Sequence, residues 1–253
     1  MDAKRGCSPY CQDCGACSAR NGRTANGPSA VQDNFVDTIV GEVVKTLAGE
    51  LGATRQPSTR PLPTIPLGVS NRHIHMREET FKVLFGSSTH PSIYRYLYQP
   101  EEFALTQTCI IVGPKMRPIH EVRILGPFRK YDQVEISFTD SVVLGVNPPV
   151  RDSGDLKDAV TITIVGPAGS VVLSKGAIIA NRHLHMTNAD AAAFGVHPGD
   201  FVRIKVPGVK STTFENVLVR TNDAWKLQLH LDTDDANAAH VVCNQEAVFL
   251  GKG

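Results

Sequence analysis

The chain reads Gly68-Val69-Ser70-Asn71-Arg72-His73-Ile74-His75-Met76 in its first half and Ile178-Ile179-Ala180-Asn181-Arg182-His183-Leu184-His185-Met186 in its second. Five of the last six letters are identical, and the sixth exchanges one aliphatic residue for another. Side chains at positions i and i+2 of a strand share a face, so each His-x-His pair presents two imidazoles side by side. Such a pair can bind a transition metal, zinc first. A single pair is more often surface or core histidines, but its repetition favours metal binding.

A third residue extends each half of the repeat. The segment Gln133-Val134-Glu135 returns 95 residues later as Gln228-Leu229-His230, on alternating segments whose polar side chains share one face. The histidine pairs are offset by 110, so the first half carries 15 extra residues, which we place within 87–107. The predicted metal ligands are therefore His73, His75 and Glu135 in one half and His183, His185 and His230 in the other. Three protein ligands leave an open coordination position, which is typical of catalytic zinc. In the alternative, Glu135 and His230 are ordinary strand residues.

Length and charge limit the classes of function. The chain has 253 residues and a formal net charge of +1. The repeat predicts two domains of about 100 residues, each able to bury a core. Near-zero charge gives no support to nucleic-acid or membrane binding, and no apolar run approaches the roughly 20 residues that span a bilayer. The N-terminal residues lack the apolar stretch of a secretory signal, so we expect a cytosolic compartment.

The first 66 residues are predicted to lie outside the catalytic body. Residues 1–30 are expected to be a disordered tail with four cysteines, Cys7, Cys11, Cys14 and Cys17. In the cytosol such a cluster indicates a metal or iron–sulfur site, or a tail that binds zinc adventitiously. Residues 31–52 show the apolar stripe of an amphipathic helix, and the proline-containing segment 53–66 is predicted to be a linker. The helix is expected to dock on a partner or to pack on its own core.

From residue 67 onwards the pattern is mainly β. Short β-branched runs punctuated by Gly and Pro alternate with brief helical stretches after each histidine pair, at 77–84 and 188–194. The segment 133–138 is predicted to be a strand, and Cys109 and Cys243 are expected to be buried. The fold class is mainly β, with two small β-barrels that carry short capping α-helices and are related by the internal repeat. The barrels are predicted at 67–177 and 178–253, and the strand near 67–71 is a candidate addition to the second.

Three motifs carry a family resemblance. They are the repeated Asn-Arg-His-x-His-Met, the segment 126–137 (Gly-Pro-Phe-Arg-Lys-Tyr-Asp-Gln-Val-Glu-Ile-Ser) and the segment 230–239 (His-Leu-Asp-Thr-Asp-Asp-Ala-Asn-Ala-Ala). Together they resemble the microcompartment-type phosphotransacylases, the phosphate propanoyltransferases of the PduL type, over residues 67 to about 250. The family's usual Asp-Glu-Ala-Asn stands here as Asp-Asp-Ala-Asn at 234–237.

The resemblance implies two Zn²⁺ per chain at the junction of two barrels, and reversible acyl transfer between coenzyme A and phosphate. Arg129 matches the family's functional arginine, and a guanidinium suits bidentate binding of phosphate; the alternative is a surface arginine. The backbone near Ser70 and Ala180 is a candidate contact for the coenzyme A pyrophosphate. In the family an N-terminal helix directs the enzyme into a bacterial microcompartment, and 33–51 is similar in kind, which implies a shell or co-cargo partner and a place in the lumen.

Two other functions use the same residues. A zinc-dependent hydrolase of acyl thioesters or phosphates would share the ligands but would release coenzyme A without phosphate. A non-enzymatic metal-binding microcompartment module would have closed metal sites and no affinity for coenzyme A. A homo-oligomer is possible, and the sequence does not fix the length of the acyl chain.

Overall fold

The computed structural model describes Glu42 and residues 63–253. The predicted cysteine-rich tail, the targeting helix other than Glu42, and linker residues 53–62 lie outside this described part. Glu42 has helical backbone conformation and is exposed. Among the described residues, no helix is both long and apolar enough to cross a membrane.

The body begins with a strand, three residues before the predicted start of the first domain. Its elements in chain order are β1 Thr64–Ser70, β2 His73–His75, α1 Glu78–Phe85, β3 Ile93–Tyr96, β4 Phe103–Val112, β5 Pro118–Gly126, β6 Gln133–Glu135, α2 Phe138–Leu144, β7 Val150–Arg151, β8 Val160–Val165, β9 Ser170–Ala180, β10 His183–Met186, α3 Asn188–Phe194, β11 Phe201–Val206, β12 Thr212–Thr221, β13 Gln228–Asp232, α4 Thr233–Ala239 and β14 Glu246–Lys252.

The strands close into two barrels, which confirms the predicted fold class. One barrel has the order β1-β13-β10-β12-β11-β14. In the other, β4, β5, β2, β6, β9 and β8 pair in turn, and β8 returns to β4. Two further strands extend this barrel's sheet, β3 beside β4 and β7 beside β9. Each barrel encloses its own apolar cluster, so the two cores are built from separate sets of side chains.

The barrels exchange strands at the two histidine motifs. β1 pairs with β13 and β14 of the second barrel, whereas β2, only two residues later, belongs to the first. β9 pairs with β6 and β8 of the first barrel, and β10 then belongs to the second. The chain therefore crosses from one barrel to the other at Asn71-Arg72 and again at Asn181-Arg182. Each crossing carries its histidine pair to the junction.

Short helices follow the strands that carry the predicted ligands. The predicted helices after each histidine pair are present as α1 and α3, but the predicted strand over 133–138 is wrong at its end. β6 stops at Glu135 because Ser137 caps α2: its side chain accepts from the Asp140 N–H, and the Asp140 carboxylate accepts from the Ser137 N–H. The Ser-x-x-Asp spacing is the signal that could have indicated this helix. Asp232 caps α4 in the same place in the second half.

Leu67 tests the strand exchange. It lies before the first histidine motif in sequence, yet it is fully buried in the core of the second barrel. Leu67→Ala should lower the free energy of unfolding by about 2–5 kcal/mol, because it leaves a cavity there. Hydrogen exchange should accelerate first in β10 to β14. Val209→Ala, at a 99 % exposed position, is the control, and faster exchange confined to β4 to β8 would contradict the topology.

Candidate functional site

The first predicted ligand set converges in the structure. β2 and β6 are antiparallel neighbours, with His73 opposite Glu135 and His75 opposite Gln133. The Nε2 atoms of the two histidines lie 3.2 Å apart, and the Glu135 carboxylate oxygens lie 3.5 Å from that of His73 and 3.9 Å from that of His75. All three side chains are buried. Two imidazoles and a carboxylate therefore face one another at the distance of ligands around one ion.

The second predicted set has the same arrangement. His183 lies opposite His230 and His185 opposite Gln228 on the antiparallel strands β10 and β13. The three rings lie with centroids 4.6–5.0 Å apart. Within each trio, one ligand atom from every residue lies within 4.8 Å of the others, so each group can hold a metal ion. The Trp225 ring, 4.3 Å from that of His185, covers the second trio on one side.

The crossover asparagines orient the first histidine of each pair. The Nδ1 of His73 lies 2.8 Å from the Asn71 carbonyl, and that of His183 lies 2.8 Å from the Asn181 carbonyl. A carbonyl oxygen only accepts, so Nδ1 must carry the proton in both rings. The lone pair is then on Nε2, the atom that in His73 faces His75. A backbone carbonyl in this position also fixes the ring orientation, as is usual for metal-binding histidines.

The crossover arginines fasten the motifs to the helices that follow the third ligands. Arg72 binds Asp140 of α2 at 2.8–2.9 Å, and Arg182 binds Asp235 of α4 at 3.2 Å. The Asp140 carboxylate also closes the cap of α2, so Arg72 ties the histidine strand to that cap. The two halves thus repeat an ion pair that the sequence analysis did not identify.

Burial sets the charge state of the ligands. It lowers the pKa of His75 and of His230 from 6.5 to about 3, and that of His185 to about 2. Burial is the largest single influence on Glu135 and works to raise its pKa, but His73, His75, a hydrogen bond with Ser153 and His183 together lower that pKa to about 2. At neutral pH these imidazoles are therefore neutral and the carboxylate is ionised, which is the state in which such groups bind metals.

One cleft of about 630 Å³ joins the two trios, and it contains every predicted site residue. Ser70 and Ala180 line it where β1 and β9 end. Arg129 also lines it, and its charge is one of the influences that lower the pKa of His75. One end of the guanidinium pairs with Glu102 at 3.1 Å. The predicted phosphate-binding residue and both predicted metal-binding trios therefore share a single cavity.

Three buried side-chain atoms in the described part of the chain have no hydrogen-bond partner: His75 Nδ1, His185 Nδ1 and Arg129 Nε. All three belong to residues that line the cleft. Buried polar groups are nearly always paired, so an unpaired one calls for an explanation, and a bound ion or ligand is one such explanation. A guanidinium N–H is only a donor, so the partner that Arg129 lacks is an acceptor.

Several side chains of the cleft were given no role in the sequence analysis. Gln133 donates to Glu135 at 2.7 Å, and Gln228 lies 2.7 Å from His230, so each third ligand is held by the glutamine two residues before it. The aligned Gln-x-(Glu/His) letters were a signal for this pair. Cys109 is buried as predicted, but Cys243 is exposed in a loop beside the cleft, where its Sγ accepts from the Val69 N–H. The prediction for Cys243 is wrong because the strand β14 begins only at Glu246.

Comparison with known proteins identifies the family of this chain. Residues 66–242 match the sequence model of phosphate propanoyltransferase. The chain is 40 % identical to the phosphate propanoyltransferase of Lachnoclostridium phytofermentans over 87 % of its length and all of that protein. It is 48 % identical to that of Thermotoga maritima over 71 % of its length and 86 % of the relative, and 45 % identical to that of Priestia megaterium over 80 % and 89 %.

The chain therefore belongs to the phosphate propanoyltransferase family and is an enzyme of the acyltransferase class. This membership confirms the resemblance drawn from the three motifs. It also supports phosphotransacylase activity, with substrates of the coenzyme A and phosphate type.

The buried imidazoles predict how stability depends on pH. A histidine whose pKa in the folded protein lies below its unfolded value stabilises the fold above the unfolded pKa of 6.5, and this stabilisation is lost as pH falls. Urea unfolding of metal-free protein should therefore show decreasing stability from pH 6.5 towards pH 4. Each such imidazole contributes up to about 1.4 kcal/mol per pH unit. His185→Gln should flatten the curve, His120→Gln at an exposed position should not, and a flat wild-type curve would refute the expectation.

Proposed function

We propose that the cleft catalyses reversible transfer of a propanoyl group between coenzyme A and phosphate, with one zinc ion held by each trio. The observation that carries the proposal is the convergence of two ligand trios, one buried and one partly buried, and an incompletely paired arginine on one cavity. The names of the relatives support propanoyl as the acyl group and phosphate as its acceptor.

The residues present fit zinc. The first trio offers two nitrogen donors and a carboxylate oxygen, and the second offers three nitrogen donors, all of kinds that zinc prefers. Three protein ligands leave a fourth position open, and the lowered pKa values of His75, His185 and His230 keep these imidazoles deprotonated at neutral pH. His73, His75 and Glu135 would hold one ion, and His183, His185 and His230 the other. When bound, the ions would supply a Lewis acid beside the thioester carbonyl and a soft partner for the departing sulfur.

The protein's own groups position the two substrates. Arg129 donates to phosphate through the guanidinium atoms that Glu102 leaves free, and Glu102 keeps the fork from swinging out of the cleft. A phosphate oxygen attacks the thioester carbon, the carbon–sulfur bond breaks, and its electron pair leaves with the thiolate. The proton that phosphate loses ends on the coenzyme A thiol. Backbone N–H groups near Ser70 and Ala180 bind the pyrophosphate of coenzyme A at the mouth of the cleft.

A coenzyme A release assay with propanoyl-CoA tests the activity. Release should require phosphate, and propanoyl phosphate should form in equal amount, because phosphate is the acyl acceptor. Equal release without phosphate would show a zinc-dependent thioesterase in its place. No release under any condition would favour a non-enzymatic metal-binding module.

Metal content tests the ligands. We expect about two zinc ions per chain, and His75→Ala should lose about one of them because a three-ligand site tolerates no missing imidazole. Elemental analysis of the purified protein is the measurement, and His120→Ala, at an exposed position, is the control. Retention of both ions at full occupancy in His75→Ala would rule out the first trio.

Arg129→Ala should keep both metals and lose most of the activity. Loss of a charge-assisted contact to a developing anion costs about 2–4 kcal/mol, or roughly 30- to 1000-fold in rate. Arg129→Lys should recover only part of it, since an ammonium lacks the planar fork. The exposed neighbour Lys130→Ala serves as the matched control. Activity of Arg129→Ala with wild-type dependence on phosphate would contradict the assignment.

We further infer that 33–51 directs the enzyme into the lumen of a microcompartment by docking on the shell or a co-cargo protein. Deletion of 1–58 should leave turnover and zinc content intact and reduce self-association, because an apolar helix face is an association site. Fused to a fluorescent reporter, 33–51 should carry it into microcompartments, and Leu47→Glu should stop this. Lys45→Glu, on the opposite face of the predicted helix, should not. An inactive truncated enzyme would assign the helix to the core instead.

A further inference from the structure

The segment 87–107, which we call the insertion, makes the two halves unequal. It contains β3, which pairs with β4, and then turns at 97–102 towards the second barrel. Most of its tip is exposed: Tyr94, Tyr96 and Tyr98 are 42–71 % accessible. The polar side chain of Gln99, by contrast, is only 2 % exposed. The insertion therefore buries an amide rather than an aromatic ring.

The backbone of Lys226 fixes the orientation of the Gln99 amide. The Gln99 Nε2 donates to the Lys226 carbonyl at 3.0 Å, and the Lys226 N–H donates to the Gln99 Oε1 at 3.0 Å. A backbone carbonyl only accepts and a backbone N–H only donates, so the reversed amide would place like groups against each other. The amide nitrogen of Gln99 thus has one possible position.

The orientation of the Gln99 amide fixes that of the Gln228 amide, which in turn fixes the tautomer of His230. The same Gln99 Nε2 donates to Gln228 at 3.2 Å, so the atom it meets must be an acceptor, the Oε1 oxygen. That oxygen lies 2.7 Å from the Nε2 of His230, which must therefore carry the ring proton. Its other nitrogen, Nδ1, is left with the lone pair. Gly68 makes room for the opposite end of the amide, because a Cβ there would lie 2.6 Å from the Gln228 Nε2.

The equivalent glutamine of the first half is turned the other way. The Gly154 N–H donates to the Gln133 Oε1 at 2.8 Å, so the Gln133 Nε2 is free to donate to the Glu135 carboxylate at 2.7 Å. A carboxylate needs a donor, whereas a histidine fixed in one tautomer needs an acceptor. The Gly154 N–H therefore orients one amide and the Gln99 amide orients the other, each to suit the third residue of its own trio.

We propose that Gln99 is a positioning residue that, through Gln228, holds His230 as the Nε2–H tautomer and so reserves Nδ1 as its donor atom for the second metal. The proposal rests on the proposed role of His230 as a metal ligand. It explains why an amide from outside the repeat is buried between the barrels. It also gives the insertion a function in the site: the insertion supplies the donor that the second half of the repeat lacks.

The tautomer can be read directly in the full chain labelled with ¹⁵N-histidine and stripped of metal by chelation. Long-range ¹H–¹⁵N correlation should show His230 with its proton on Nε2 alone, and Gln99→Met should give a mixture of both tautomers. Gln107→Met is the matched control, because Gln107 also joins backbone groups within the insertion but does not reach the site. Gln228→Glu should keep the Nε2–H form, since a carboxylate still accepts from both neighbours.

An Nδ1–H tautomer in the wild type, a pure Nε2–H form in Gln99→Met, or an equal change in Gln107→Met would each overturn the proposal. A second readout is zinc affinity by chelator competition in the His75→Ala background, where only the second trio binds. Gln99→Met should weaken it about 10- to 100-fold, and Gln107→Met should not. If the wild type binds no zinc at all, the metal function proposed above fails, while the tautomer measurement still decides the role of Gln99.

Discussion

The strand exchange at the two Asn-Arg crossings is the constraint on which the site depends. Because β1 and β2 belong to different barrels, and β9 and β10 likewise, each histidine pair is forced to the junction. Antiparallel pairing then sets the first histidine of each pair directly opposite the third ligand, on the same face of adjacent strands. The residues at the crossings also orient the histidines: the asparagine carbonyls accept hydrogen bonds from the imidazoles, and the arginines form ion pairs with the helices that follow the third ligands.

Burial gives this geometry its chemical character. A protonated imidazole is costly where burial removes it from water, so His75, His185 and His230 stay neutral at neutral pH and keep a lone pair. Glu135 keeps its charge at neutral pH, since its pKa is lowered to about 2 despite its burial. Arg129 adds a cation whose buried Nε has no partner among the described residues. A site with neutral nitrogen donors, one carboxylate and one partly paired guanidinium is prepared for metal ions and an oxyanion together.

The internal repeat and the departures from it have different effects on the site. The repeated elements build two equivalent trios, each with a glutamine two residues before the third ligand. The third residues of the trios differ, a carboxylate in one half and an imidazole in the other. The carboxylate accepts from the amide nitrogen of its glutamine, whereas the imidazole N–H donates to the amide oxygen. Different segments orient the two amides, the loop at Gly154 in the first half and the insertion in the second. The two halves therefore differ in the groups that orient their glutamines, as they differ in the third residue of each trio.

The sequence by itself determined the repeat, the six candidate ligands, Arg129 as a candidate, and the fold class. Alternation along a strand places side chains of fixed spacing on one face, and a repeated hexapeptide places equivalent side chains at equivalent points of two similar units. The same local reasoning placed Phe138 in a strand and Cys243 in the core, since an apolar run shows neither that Ser137 caps a helix nor that β14 begins only at Glu246. Only the tertiary structure decided to which barrel each strand belongs, how Gln99 reaches Gln228 across 129 residues, and that the Nε of Arg129 has no partner among the described residues. Those facts depend on contacts between segments far apart in the chain, and no local periodicity encodes them.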